Sequence, residues 1–120
     1  MVLDLDETLV HSSFKPVDKA NITLNVDIEG QICVIYVLVR PFVAEFLARM
    51  ARHYELIIFT ASLSKYAEPL VERLDPEGVC SYKLFREHCT FFSNAFVKDL
   101  TRLGRDLKKT IIVDNLKENF

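Results

Sequence analysis

Two carboxylates one residue apart, Asp4 and Asp6, follow the apolar run 1–3. If that run is a β-strand, residues i and i+2 share a face and the two side chains lie side by side. Two like charges at this spacing need a cation or a reacting group between them. The other interpretation is a strand that ends in a solvated acidic turn over 6–8. The like-charged pair favours a chemical site.

The composition predicts one compact domain. The chain has 120 residues, of which 50% are hydrophobic and 27% charged, so a core can form and whole-chain disorder is excluded. The net charge is −2, and the basic run Lys108-Lys109 is too short to indicate nucleic acid. We therefore expect no direct contact with nucleic acid, and the partners must be inferred from the site.

The cysteines and the hydropathy pattern indicate the compartment. Cys33, Cys80 and Cys89 are odd in number and lack C-x-x-C spacing, which argues against a disulfide framework and a structural zinc. No apolar stretch is long enough to span a membrane, and no signal-peptide pattern opens the chain. We expect an intracellular protein, although a chain that begins inside a strand and stops at Phe120 is expected to be part of a longer one.

The chain alternates between strand-like and helix-like segments. Strands are predicted over 1–3, 55–59, 82–85 and 110–113, a β-hairpin over 22–39, helices over 41–54 and 63–74, and a short helical piece over 96–103. The segment 11–21 has no period and is predicted to be a loop. Pro69 is expected to divide the second helix, and Ser62 is a candidate cap for its start.

This order predicts an α/β fold with a parallel sheet covered on both faces. In such sheets, ligands bind beyond the carboxyl ends of the strands. The polar side chains expected there, together with one lysine, are Asp4, Asp6, Thr60, Ser62, Lys98, Asp114 and Asn115. Hard oxygen ligands beside an ammonium group are suited to Mg²⁺ and phosphate.

Four sequence motifs carry a family resemblance. They are Asp-Leu-Asp-Glu-Thr-Leu-Val, Phe-Thr-Ala-Ser-Leu-Ser-Lys-Tyr-Ala, Leu-Phe-Arg-Glu-His-Cys and Val-Lys-Asp-Leu-Thr-Arg-Leu-Gly-Arg-Asp-Leu. In this order they resemble the small C-terminal-domain phosphatases of RNA polymerase II, also called NLI-interacting-factor-like, within the haloacid dehalogenase superfamily. The resemblance implies a single domain over 1–120 with a Rossmann-like core, a parallel central sheet flanked by helices, and a β-hairpin insertion over 22–39.

The sequence departs from the family pattern in two places. The family usually continues Asp-Asn with Ser-Pro, whereas Leu116-Lys117 stands here, which leaves the shape of that loop open. Family domains carry a further strand and helix after this point, so we expect residues to be missing from the C-terminal end.

The resemblance implies a role for each matching residue. The catalytic residues are Asp4 as nucleophile, Asp6 as general acid and base, Thr60 as a phosphate ligand and Lys98 as the neutralising cation. The Mg²⁺ ligands are Asp4, Asp6 through its backbone carbonyl, and Asn115 with Asp114 beside it. The residues assigned to the phosphate and its surroundings are Thr8, Ala61 through its amide, Tyr66 and Arg86.

Each of these assignments has a structural alternative. Lys98 could be a surface lysine, Arg86 could pair with Glu87, and Tyr66 could belong to the core. The three histidines show no metal spacing, and neither Cys80 nor Cys89 has a partner base, so a cysteine phosphatase is disfavoured.

An apolar pocket beside the phosphate site is the last implication of the resemblance. Its predicted lining consists of Phe14, Val26, Ile28, Ile35 and Leu63, which would accept a proline ring close to a phosphoserine. The alternative is that these side chains only pack the hairpin onto the domain.

Three functional classes follow. The first is a Mg²⁺-dependent protein serine/threonine phosphatase that acts through an aspartyl-phosphate on phosphoserine in proline-containing disordered segments, such as the RNA polymerase II tail. The second is a small-molecule phosphatase of the same superfamily, and the third is a catalytically weak binding module. Only a hairpin separates the first strand and helix, which favours an open crevice and a polypeptide substrate. We expect a nuclear or cytoplasmic monomer.

Overall fold

The structure is a computed structural model that describes residues 1–120, apart from the side chain of Asn119. Its strands are β1 (Val2–Leu3), β2 (Val10–Ser13), β3 (Ile22–Ile28), β4 (Gln31–Val39), β5 (Ile57–Phe59), β6 (Tyr82–Leu84), β7 (Thr90–Phe92), β8 (Ala95–Val97) and β9 (Ile112–Val113). The α-helices are α1 (Val43–Met50) and α2 (Ser64–Leu74). Short 3-10 turns occupy Arg86–His88, Leu100–Leu103, Leu107–Lys109 and Lys117–Asn119.

A parallel sheet of four strands forms the centre, in the order β6-β5-β1-β9. Leu3 of β1 is in register with Ile58 of β5 and with Val113 of β9. β1 and β5 are apolar and buried along their whole length, whereas the edge strands β6 and β9 are partly exposed. Since all four run the same way, the residues that follow β1, β5 and β9 meet at one edge of the sheet.

Both α-helices pack on one face of this sheet. Leu3 and Ile58 share a buried core with Leu47 of α1 and Leu70 of α2. The neighbouring residue Ile57 points to the opposite face, as the period of two along a strand requires. On that face, Ile57 and Phe59 line a cavity together with residues of the 3-10 turn Leu100–Leu103, whereas both α-helices lie on the other side of the sheet.

A second, antiparallel sheet, in the order β2-β4-β3, contributes its inward side chains to the same core. The predicted hairpin over 22–39 is present as β3 and β4, with a turn at Glu29-Gly30 where both residues have positive φ. The prediction of a loop from residue 11 was wrong at its start, because residues 10–13 form β2 and pair with 36–39 of β4. This pairing joins residues far apart in sequence, so local periodicity does not reveal it.

Two helix predictions also need correction. α2 runs unbroken through Pro69. A proline in a helix interior costs about 3 kcal/mol, but α2 buries Ala67, Leu70, Val71 and Leu74, and each large apolar side chain contributes about 1.5–3 kcal/mol. The segment 96–103 is not one helical piece, since it begins in β8 and ends in a 3-10 turn.

No helix within the described part of the chain is long and apolar enough to cross a membrane. The longest, α2, has 11 residues, against about 20 for a span.

Candidate active site

The loop after β1 is a compact turn built around one carbonyl group. The Leu5 oxygen accepts hydrogen bonds from the N–H groups of Thr8, Leu9 and Val10, at 3.3, 2.9 and 3.2 Å. Leu5 itself is fully buried and anchors the turn in the core. The backbone reverses at Glu7, whose φ is 63°. The two motif aspartates are therefore held on a fixed backbone.

The sheet register brings Asp4 and Asp114 side by side. Leu3 pairs with Val113, and the Asp4 N–H donates to the Val113 oxygen at 2.9 Å, so the next residue on each strand is an aspartate. Lys98, which follows β8, reaches both of them. Its Nζ donates to Asp4 Oδ1 at 2.8 Å and to Asp114 Oδ2 at 2.5 Å. Lys98 is 1% exposed and is thus no surface lysine.

Asp4 is a buried carboxylate with both oxygens engaged. Its Oδ2 accepts a hydrogen bond from Thr8 Oγ1 at 3.0 Å, while Oδ1 faces Lys98. Burial raises the pKa of Asp4 above its usual value, and the Lys98 ammonium acts against that rise. The cation therefore favours the ionised form that a nucleophile needs.

Thr60 and Arg86 line the neighbouring strand end. Thr60 is 1% exposed, and its Oγ1 accepts the Ser62 N–H at 3.0 Å. The Arg86 Nε donates to the Ala61 oxygen at 2.7 Å, and its guanidinium lies 4.7 Å from the centre of the Phe96 ring. Arg86 is thus held by a backbone carbonyl and an aromatic face.

The Asp6 carboxylate accepts two short hydrogen bonds. Ser62 Oγ donates to Oδ2 and the Tyr66 hydroxyl donates to Oδ1, each at 2.6 Å. Ser12 Oγ is hydrogen-bonded to the Tyr66 hydroxyl. The prediction of Ser62 as a helix cap was wrong, because Leu63 occupies the N-cap position and no side chain caps α2. The sequence placed Ser62 at this edge of the sheet without its bond to Asp6, whereas the contact of Ser12 with Tyr66 was not predicted.

A cavity of about 260 Å³ opens beside Asp6. Its lining is Asp6, Ser12, Ser13, Phe14, Ile28, Ile35, Ser62, Leu63, Tyr66 and Arg86. Four of the five predicted pocket residues are among them. Val26 is not, since it is 3% exposed and packs in the core under the hairpin. Phe14 is 68% exposed at the mouth, so much of its ring remains open to a ligand.

A larger cavity of about 510 Å³ lies against β5 and β6 and includes Cys89. Burial raises the pKa of the Cys89 thiol, which keeps it protonated. The sulfur donates weakly to the Thr60 and Phe85 carbonyl oxygens at 3.8 Å. Cys89 is therefore not an activated nucleophile in this cavity.

The comparisons with known proteins identify the family of this chain. The family model described as NLI interacting factor-like phosphatase matches residues 1–120. The chain belongs to the NLI interacting factor-like phosphatase family.

Relatives in this family share its sequence throughout the chain. The carboxy-terminal domain RNA polymerase II polypeptide A small phosphatase 2 of Mus musculus is 56% identical over 120 residues, which cover all of this chain and 44% of the mouse protein. Phosphatase Herzog of Drosophila melanogaster is 54% identical over the same length, which is 34% of that protein. The chain thus spans less than half the length of these relatives.

A solved structure shows the same fold. The fission yeast RNA polymerase II CTD phosphatase Fcp1, bound to beryllium fluoride, matches with a TM-score of 0.85 and 25% identity, over 99% of this chain and 37% of that one. The predicted fold class, a haloacid dehalogenase α/β core with a parallel central sheet, is confirmed.

The family fold implies a divalent metal, and the donor atoms here fit one. Asp4 and Asp114 place anionic oxygens beside each other at a strand end, which is the ligand chemistry of a hard cation. Within the described residues, no group of three His, Cys, Asp or Glu side chains is suited to a metal. A metal at this edge would therefore also draw on a backbone carbonyl, such as that of Asp6, and on the exposed amide of Asn115.

Proposed function

We propose that this domain is a Mg²⁺-dependent protein phosphatase that removes phosphate from phosphoserine through an aspartyl-phosphate at Asp4. The observation that carries the proposal is the buried contact of Asp4 with Lys98, next to a second carboxylate, Asp6, that lines an open cavity. A nucleophile, a charge-neutralising cation and a proton-transfer group are the parts that such a reaction requires.

The first step transfers the phosphoryl group to the protein. An Asp4 oxygen forms a bond to phosphorus while the bond from phosphorus to the serine Oγ breaks, and Asp6 gives its proton to that Oγ. Lys98 offsets the negative charge that accumulates between the Asp4 carboxylate and the phosphoryl oxygens. Arg86, fixed by the Ala61 carbonyl and the Phe96 ring, is available to hold a phosphate oxygen.

The second step returns the protein to its starting state. Water attacks phosphorus and gives a proton to Asp6, and the bond between phosphorus and Asp4 breaks to release inorganic phosphate. Asp6 thus serves as the acid in the first step and as the base in the second. The covalent intermediate at Asp4 divides one difficult displacement into two easier ones.

Mg²⁺ would be held by Asp4, the Asp6 carbonyl and Asn115, with Asp114 beside it, and would supply positive charge against the phosphate dianion. The two buried aspartates on adjacent strands support this assignment. Lys98 and Arg86 remain to neutralise the phosphate oxygens that the metal leaves uncovered.

The cavity next to Asp6 supports a polypeptide substrate. Phe14, Ile28, Ile35 and Leu63 offer an apolar wall close to the proton-transfer residue. A proline near the phosphoserine fits such a wall, and a proline-containing segment is already extended, so its docking costs little ordering entropy. The proposed substrate is therefore phosphoserine in a proline-containing disordered segment. The C-terminal domain of RNA polymerase II, which appears in the names of the relatives, is an example. The proposed location is the nucleus or cytoplasm.

A substrate panel tests this proposal. The purified domain is assayed with Mg²⁺ on phosphoserine peptides, with and without a neighbouring proline, and on phosphosugars. We expect the highest kcat/KM for the proline-containing phosphopeptide. Preference for a phosphosugar would overturn the polypeptide assignment, and no phosphatase activity on any of them would overturn the enzyme assignment.

A further inference from the structure

Two hydroxyl groups from different segments hold the Asp6 side chain. Ser62 belongs to the turn after β5 and donates to Oδ2, whereas Tyr66 belongs to α2 and donates to Oδ1. Both distances are 2.6 Å, at the short end of the range for O–H···O hydrogen bonds. With one donor on each oxygen, the carboxylate plane cannot turn without breaking a bond.

A third hydroxyl group, that of Ser12, holds the Tyr66 hydroxyl in place. Tyr66 has a single hydroxyl hydrogen and gives it to Asp6, so in its contact with Ser12 the serine must be the donor. Ser12 stands on β2, which the antiparallel sheet holds in place. The bonds therefore run from Ser12 to Tyr66 to Asp6, and from Ser62 to Asp6. We call Ser12, Ser62 and Tyr66 the hydroxyl cluster.

We infer that the hydroxyl cluster positions the Asp6 carboxyl for proton transfer to the leaving serine oxygen, so that Ser62 and Tyr66 are positioning residues of the reaction. The inference rests on the proposed function, which gives Asp6 that role. Each carboxyl oxygen has two acceptor directions, and the cluster occupies one on each. The remaining directions are left for the reacting proton, and Asp6 itself lines the cavity.

The physical gain is orientation. A free aspartate samples several rotamers, and a small misplacement of a reacting group lowers the rate strongly. Asp6 is only partly buried, so packing alone does not fix it. The cluster supplies the missing constraint from β2, the turn after β5 and α2 at once.

The test uses a series of aryl phosphates whose leaving groups differ in pKa. The measured quantity is kcat/KM, which reports the reaction up to loss of the leaving group. The variant is Tyr66→Phe, which keeps the ring and removes the hydroxyl. Poor leaving groups need the proton and good ones do not. We expect kcat/KM to fall at least about tenfold for the poorest leaving group and less than about twofold for p-nitrophenyl phosphate, so the dependence on leaving-group pKa steepens.

Matched variants separate this role from a structural one. Ser62→Ala should steepen the dependence in the same way, and Ser62→Thr, which keeps a hydroxyl, should restore the shallow slope. Tyr54→Phe is the control for loss of a tyrosine hydroxyl, because Tyr54 precedes β5 at the opposite edge of the sheet. Its slope should equal that of the wild type. Equal melting temperatures exclude a general loss of fold.

The outcomes distinguish the two levels of the proposal. An equal fall for every leaving group, with an unchanged slope in Tyr66→Phe and Ser62→Ala, would overturn the positioning role, since the hydroxyls would then serve substrate binding or stability. Full activity of Asp6→Asn on the poorest leaving group would instead overturn the proton-transfer role of Asp6, and with it the proposed function.

Discussion

The Lys98 ammonium lies 2.8 Å from the Asp4 carboxylate although 94 residues separate them in the chain. Asp4 follows β1, and Lys98 follows β8, which pairs antiparallel with β7 to form a two-stranded ribbon, the β7–β8 ribbon. The contact fixes that ribbon against the sheet edge. Lys98 also contacts Asp114 on the neighbouring strand. One buried cation thus serves two buried anions, which links folding to the proposed chemistry.

Lys98→Met should abolish turnover and destabilise the fold. Removal of one partner from a buried ion pair leaves an uncompensated charge and typically costs about 3–5 kcal/mol. Urea unfolding measures this loss, and the assay of kcat measures turnover. Adding Asp114→Asn to Lys98→Met should recover part of the free energy of unfolding without recovering activity. A fully stable Lys98→Met protein would contradict the buried contact.

Asp4→Asn should abolish turnover and leave the protein folded, because an amide is a poor nucleophile of nearly the same shape. Asp6→Asn should also be almost inactive, and it should accumulate phosphoenzyme if loss of the leaving group is not limiting. Mass spectrometry after brief exposure to substrate detects the added phosphate. Appreciable turnover by purified Asp4→Asn would remove the aspartyl-phosphate mechanism.

The strand ends could be predicted because their signals are local. Asp4 and Thr60 each follow a short apolar run, and parallel strands bring such positions to one edge. The contact of Ser12 with Tyr66 could not be predicted, because it depends on the pairing of β2 with β4 across a loop that has no regular pattern. The residues of the candidate site could therefore be predicted from the sequence, whereas the hydrogen bonds that hold the Asp6 side chain could not.

The β7–β8 ribbon was missed for a different reason. Its turn is Ser93-Asn94, with φ of 50° and 62°, which is the pattern of a two-residue hairpin turn. Asn is common in such turns, but the flanking strands have three residues each, too few to show an alternating pattern. The helical periodicity over 96–103 therefore prevailed in the prediction, although Lys98 was still assigned to the site.

Metal removal should abolish activity, and Mg²⁺ should restore it. No cluster of His or Cys side chains is found among the described residues to favour zinc, and the available ligands are oxygens. Calcium should inhibit, because it prefers more ligands at longer distances and could engage both oxygens of Asp4. The assay is repeated after chelation and after each cation is added back. Full activity in excess chelator would contradict the proposed cofactor.

The contribution of Arg86 to catalysis should depend on the Phe96 ring that its guanidinium group faces. Phe96→Leu removes the aromatic face 4.7 Å from the guanidinium carbon and should lower kcat/KM for p-nitrophenyl phosphate, though less than Arg86→Ala does. The double variant should be no worse than Arg86→Ala, because Phe96 acts through Arg86. Phe91→Leu is the matched control, since the Phe91 ring packs on Phe96, with ring centres 5.2 Å apart, while the Arg86 guanidinium lies over the Phe96 ring. Additive losses in the double variant would mean that Phe96 acts independently.

Phe14→Ala should weaken recognition of the substrate segment and spare the chemistry. The Phe14 ring is 68% exposed at the mouth of the cavity that Asp6 lines, so it is available to a proline ring and contributes little to the core. Loss of a contact worth about 1.4 kcal/mol corresponds to about a tenfold rise in KM. That rise is expected for a proline-containing phosphoserine peptide, while hydrolysis of p-nitrophenyl phosphate, which is too small to reach the apolar wall, stays nearly unchanged.

Phe42→Ala is the control, because Phe42 is also highly exposed, at 77%, and lies outside the cavity lining. If both substrates lost activity equally in Phe14→Ala, Phe14 would be structural, and the peptide-recognition part of the proposal would fail while the phosphatase part remained.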